Sequence, residues 1–88
     1  MNDTCPCCGF MTLSPQASGS YEICHVCFWE EDLVQTNNPD YSGGANTISL
    51  KEAQTNFIKF AACTKELKAH VTPPGIDEPK DPYWKFLT

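Results

Sequence analysis

Four cysteines fall into two Cys-x-x-Cys pairs, Cys5 with Cys8 and Cys24 with Cys27, and the stretch between them is long enough for one β-hairpin. No other feature constrains the chain as strongly. Each tight turn can aim two sulfurs at one point, and a hairpin that joins the two turns closes a tetrahedron of thiolates. A chain of 88 residues forms a small domain that buries only a modest share of its unfolded surface, so a staple is expected. The expected staple is one structural Zn²⁺ per chain, held by Cys5, Cys8, Cys24 and Cys27.

Met1-Asn2-Asp3-Thr4 leads directly into the first pair without a basic region, and no apolar run nearby is long enough for a signal peptide or a membrane span. The expectation is a cytoplasmic chain with no membrane partner, in which thiols stay reduced and open to metal. The formal charge is −5, and its distribution matters more than its sum. Lys51, Lys59, Lys65, Lys68, Lys80 and Lys85 all follow Leu50, and there is no arginine. The segment from Met1 to Leu50 holds Asp3, Glu22, Glu30, Glu31, Asp32 and Asp40 with no Lys or Arg against them. Four thiolates on one Zn²⁺ make this half more acidic still, and such a surface repels phosphate.

The predicted fold is small α+β: a zinc-ribbon-like β-hairpin with two Cys-x-x-Cys knuckles, one C-terminal amphipathic helix and an irregular tail. In Cys5-Pro6-Cys7-Cys8-Gly9 the proline fixes φ entering the turn, and Gly9 can take φ > 0 so that N–H groups face the sulfurs. Phe10-Met11-Thr12-Leu13 reads as a strand, residues 14–20 as a turn and Tyr21-Glu22-Ile23 as the returning strand. The second knuckle, Cys24-His25-Val26-Cys27, is followed by Phe28-Trp29, whose bulk can cover the cluster, and by Glu30-Glu31-Asp32, a solvated edge or the first turn of a short helix. Gln35 to Asn46 is dense in turn formers and reads as loop. Ser49-Leu50-Lys51-Glu52 matches a capping box, and Leu50, Ala53, Phe57, Phe60, Ala61 and Leu67 follow a helical rhythm that fades near Ala69-His70 before Pro73-Pro74. Residues 1–72 therefore form the ribbon-plus-helix domain. Residues 73–88 form a proline-rich tail whose Tyr83, Trp84 and Phe86 are expected to pack on it, since exposing all three would leave a sticky patch.

Four thiolates saturate a tetrahedral metal, and the chain shows no nucleophile–base order, phosphate loop or His-Glu-x-x-His, so an enzyme is not expected. Cys7 cannot join the same tetrahedron without displacing a neighbour and reads as an inert or partly exposed thiol, the alternative being one that swaps with Cys5 or Cys8 under oxidation. Cys63, in mid-helix beside Ala61 and Ala62, reads as a small core residue. His25 is expected to donate an N–H to a carbonyl or face solvent, and His70 to meet carbonyls at the helix end. A nucleic-acid-binding zinc ribbon is the competing class, although the ribbon lacks the basic residues such modules use. A thiol redox protein or a rubredoxin-like iron centre is the other alternative, because iron accepts similar knuckles.

Cys5-Pro6-Cys7-Cys8-Gly9, Tyr21-Glu22-Ile23-Cys24 with Val26-Cys27-Phe28-Trp29-Glu30, and Pro39-Asp40-Tyr41-Ser42-Gly43-Gly44-Ala45-Asn46 before Ser49-Leu50 occur in that order. In this the chain resembles the bacterial cysteine-rich CPCC family. The resemblance implies Cys5, Cys8, Cys24 and Cys27 as metal ligands with an aromatic-acidic Phe28-Trp29-Glu30 motif beside them. It implies no particular activity. The expected function is a zinc-stabilised interaction module that binds a protein partner, with a basic protein suiting its charge, through Trp29, Glu30, Glu31, Asp32, Asp40 and Tyr41. An adaptor within a complex or an immunity (antitoxin-like) protein that blocks a basic toxin surface fits that description.

Overall fold

A computed structural model describes residues 2–87. Its regular elements are helical: α1 over Leu33–Asn37, α2 over Leu50–Phe60 and a 3₁₀ segment over Lys65–His70. The expected β-hairpin is not formed. Among the described residues extended pairing is limited to isolated antiparallel bridges, Asp3 with Leu13, Phe10 with Lys80 and Ile23 with Glu30.

The backbone shows why the two predicted strands do not pair. Gln16 and Tyr21 have φ of 69° and 62°, and Gly19 has 76°, so the chain leaves extended geometry at three places between Leu13 and Glu22. Glu22 reaches across this loop with its side chain instead, accepting from the Ser14 N–H at 3.0 Å. Each knuckle folds back on its own flanks: Cys5 N–H donates to the Phe10 carbonyl at 2.9 Å, and Cys24 N–H to the Trp29 carbonyl at 2.9 Å. The zinc-ribbon expectation thus anticipated the knuckles but not how they are joined.

Asp32 starts α1 by accepting from the N–H groups of Val34 and Gln35. The helix runs into the stretch expected to be loop, because its Gln35 is wholly buried and organises the residues that follow. Gln35 Nε2 donates toward the carbonyls of Tyr41, Asn46 and Ile48 at 3.0–3.1 Å, while its Oε1 accepts from the Asn46 N–H. The turn-rich segment 39–46 is therefore wrapped around one amide. Gly44 lies so close that a Cβ there would stand 2.6 Å from Asp32 Oδ2.

The Ser49 hydroxyl caps α2 as expected, accepting from the Glu52 N–H. The helix stops at Phe60 instead of continuing to residue 70. Ala61 takes φ of 60° and closes the C-terminus on Phe57 O. Cys63 N–H then donates to the Cys27 carbonyl at 2.7 Å and Asn56 Nδ2 to the Cys63 carbonyl at 3.0 Å. These bonds pull the chain onto the second knuckle, so Cys63 belongs to a non-helical core segment rather than to mid-helix. Leu50, Ala53, Leu13, Ala17, Val26 and Trp29 complete the core around the cysteines, with Phe57 and Leu67 packed on it. No described helix is long and apolar enough to cross a membrane.

Candidate metal centre

The two knuckles repeat one geometry. Gly9 N–H donates to Cys5 O at 2.8 Å and Phe28 N–H to Cys24 O at 2.7 Å, and the donors occupy the same left-handed conformation, with φ of 82° at Gly9 and 70° at Phe28. That turn fixes the direction of both cysteines in each pair. The Sγ atoms of Cys5, Cys8, Cys24 and Cys27 consequently lie within 4.8 Å of one another, all four side chains buried. Across the knuckles Cys5 Sγ lies 3.5 Å from Cys27 Sγ, and Cys8 Sγ 3.8 Å from Cys24 Sγ. Sulfurs about 2.3 Å from a tetrahedral Zn²⁺ stand roughly 3.8 Å apart, so the cluster has the dimensions of a metal-binding tetrahedron.

Burial and hydrogen bonding drive the thiols of Cys5, Cys24 and Cys27 in different directions. Cys24 is held far below the usual thiol range, first by hydrogen bonding from Cys27, then from Cys5 and Cys8, with the Thr12 hydroxyl also contributing. Thr12 Oγ1 lies 2.9 Å from Cys24 Sγ. Burial pushes Cys5 and Cys27 well above that range. Without a cation the site therefore favours the thiolate of Cys24 and opposes ionisation of Cys5 and Cys27, an opposition that a divalent ion would offset. Backbone also reaches the cluster, with Trp29 N–H 3.4 Å from Cys27 Sγ.

The two remaining cysteines stay outside the set of four. Cys7 is fully buried, so of its expected readings the partly exposed one does not hold. Cys63 is 2 % exposed, and burial pushes its thiol up to about 12. His25 points away from the sulfurs, its Nε2 bonded to the Glu78 carboxylate at 2.8 Å and its Nδ1 paired with the Thr72 hydroxyl. His70 meets the Phe28 ring, with centroids 5.6 Å apart, rather than helix-end carbonyls.

The residues expected to meet a partner divide sharply. Trp29 is wholly buried, its indole N–H without an acceptor, and presents nothing to solvent. Asp32 is 6 % exposed and committed to the α1 cap and the Ala45 N–H, which hold its carboxyl below the usual range. Glu31 is 5 % exposed and accepts from Gly19 N–H and the Thr36 hydroxyl. Acidic runs are usually solvated, so the sequence places Glu31 and Asp32 at a solvated edge or in the first turn of a short helix, while Trp29 is expected both to cover the cluster and to meet a partner. Glu30 is half-buried, while Tyr41 and Asp40 face solvent, the latter paired with Lys51 at 3.2 Å.

The tail closes over the first knuckle through Trp84, whereas Tyr83 and Phe86, also expected to pack on the domain, are exposed. Trp84 Nε1 donates to Pro6 O at 2.7 Å, Lys80 Nζ to Cys8 O at 2.6 Å, and Asp81 N–H to Gly9 O at 2.8 Å. Gln54 of α2 donates to the same Pro6 carbonyl and accepts from Leu87 N–H.

These features define a class: a small domain organised by a buried four-cysteine cluster with the geometry to hold a metal ion. The chain belongs to the cysteine-rich CPCC family, whose model matches residues 3–78. No individual curated protein is matched by the sequence.

Proposed function

We propose that Cys5, Cys8, Cys24 and Cys27 hold one structural Zn²⁺ and that the protein is a non-enzymatic interaction module, an adaptor or immunity-type inhibitor that engages a basic protein. The observation that supports it most directly is the convergence of four buried sulfurs at tetrahedral spacing. Such an ion would supply cross-linking and charge compensation and no open coordination position. The residues around it serve the same end: Thr12 and the Trp29 N–H satisfy sulfur lone pairs, and the knuckle turns fix the side chains.

The partner surface follows from the half of the chain that has acids and no bases. With Trp29, Glu31 and Asp32 used internally, Glu30, Asp40, Tyr41 and the neighbouring half-buried Glu22 are the members left to meet a basic surface. Two measurements test the proposal. Elemental analysis of protein purified without added metal is expected to give one zinc per chain, and iron in its place would overturn the metal assignment. Affinity capture from the native cell is expected to return a basic protein in a salt-sensitive complex that weakens in a Glu22→Lys, Glu30→Lys, Asp40→Lys variant. Capture of nucleic acid instead would overturn the module reading.

A further inference from the structure

Between the first knuckle, the end of α2 and residues 71–74 lies an open groove of about 490 Å³. Phe10, Val26, Phe57, Val71 and Pro74 line it, so its walls are apolar, and it belongs neither to the sulfur cluster nor to the acidic surface. Lys80 stands at its edge. The Lys80 ammonium lies 4.8 Å from the Phe10 ring centroid and 4.3 Å from that of Trp84, and it donates to Cys8 O. These contacts fix its position, yet none is anionic. Among the described residues Lys80 makes no salt bridge: of the tail's acids, Asp81 accepts from the Thr4 hydroxyl and the Tyr83 N–H, Glu78 binds His25 and the Gly75 N–H, and Asp77 forms no ion pair with it.

An ammonium has three protons, and one is satisfied by Cys8 O. A cation held between rings with donors to spare, at the edge of an apolar groove of ligand size, is a recognition element for an anion with an apolar body. We propose that the groove binds a small amphiphilic carboxylate, its chain or ring along Phe10, Val26, Phe57, Val71 and Pro74 and its carboxylate on Lys80 Nζ. Because Lys80 also holds the Cys8 carbonyl, an occupant of the groove acts on the backbone of the first knuckle. This inference does not depend on the acidic surface or on the identity of its partner.

The test titrates the full-length, metal-loaded protein with octanoate and, separately, with octanol, following the methyl resonances of Val26 and Val71. Saturable shifts with one octanoate per chain are expected, and octanol, lacking the charge-assisted bond, should bind roughly ten- to a hundredfold more weakly. Lys80→Met should bring octanoate down to the level of octanol, Lys80→Arg should restore the preference, and Val71→Glu should abolish binding of both with metal retained. Equal affinity for octanoate and octanol overturns the proposal, as does the absence of saturable shifts. A concentration-dependent dimer that buries these methyls would also overturn it, by assigning the groove to a second copy.

Discussion

Gly9→Ala is expected to destabilise the protein mainly by unseating the tail, not by straining the knuckle. Phe28 occupies the corresponding place in the second knuckle at φ of 70°, against 82° for Gly9, so this turn tolerates an L side chain. The backbone component should cost only about 1–2 kcal/mol. The surroundings differ. A Cβ on Gly9 would stand 2.6 Å and 2.8 Å from Trp84 Cδ2 and Cγ and 3.0 Å from Lys80 Cε. Displacing the indole adds an overpacking cost of roughly 1–3 kcal/mol, or forfeits instead the Trp84–Pro6 hydrogen bond and the Lys80 stack, each about 0.5–1.5 kcal/mol. Gly9→Ala should therefore cost about 2–5 kcal/mol in the natural chain and only the backbone part, about 1–2 kcal/mol, in a Trp84→Ala background. A double-mutant cycle by urea denaturation at fixed free metal concentration reads the difference, a coupling of roughly 1–3 kcal/mol. Equal cost of Gly9→Ala in both backgrounds would show that φ alone demands glycine and refute the argument from packing.

Serine in place of Cys5, Cys8, Cys24 or Cys27 is expected to abolish tight metal retention, whereas Cys7→Ser and Cys63→Ser keep it; mass spectrometry under native conditions separates the two groups, and loss of metal from Cys7→Ser would revise the ligand set. Because burial keeps Cys5 and Cys27 protonated above the usual thiol range, metal entry must expel their protons, so affinity should fall as pH falls. Calorimetry in buffers of different ionisation enthalpy should register the release of roughly two protons or more per ion, and a pH-independent affinity would contradict the buried-thiol picture. Asp32→Asn should cost about 0.5–2 kcal/mol through the α1 cap and the Ala45 bond. The folded carboxyl is depressed, so this contribution is full above the unfolded pKa of about 3.9 and is lost as pH falls through the folded value; thermal melts between neutral and acid pH should show the variant and the natural chain converging. Removing the residues after Pro79 should speed amide exchange at Gly9 and Met11 far more than at Phe28 and Glu30, and uniform acceleration would mean that the tail supports the whole domain.

The cysteine set was legible because ligand spacing is a local property: each Cys-x-x-Cys turn has the same geometry wherever the chain places it. The Ser49 cap was legible for the same reason. What joined the knuckles was not, since alternation over Phe10–Leu13 and Tyr21–Ile23 is compatible with a hairpin until Tyr21 takes a positive φ. Helix α2 was overextended because the apolar rhythm continues through Leu67. Its actual end is decided by the long-range bond from Cys63 N–H to Cys27 O, which no periodicity reveals. Glu31 and Asp32 were misplaced for a related reason: their donors are backbone N–H groups distant in sequence, Gly19 for Glu31 and Ala45, in the loop organised by Gln35, for Asp32.

All six cysteines lie in the core, and the large apolar side chains there are few: Trp29, Leu13 and Leu50 supply most of the bulk. A core of this composition gains little from burial alone, and burial opposes ionisation of Cys5 and Cys27, a cost that a bound cation would offset. The two knuckles gather the sulfurs with one backbone turn used twice and differ in how each is sealed. Phe28 covers its own turn and stacks on His70, while Glu30 N–H is satisfied by Asn46 Oδ1 at 2.9 Å. Gly9 leaves the equivalent space open for Trp84, and Met11 N–H is satisfied by Pro79 O at 2.9 Å. Thr72 and Glu78 reach the second knuckle at His25, while Lys80, Asp81 and Trp84 reach the first together with Gln54 of α2. Both knuckles are therefore closed by chain that returns from beyond Val71, and both bear a loop-closure cost. That dependence makes the tail's few hydrogen bonds to Pro6, Cys8, Gly9 and His25 part of what holds the four-cysteine cluster together.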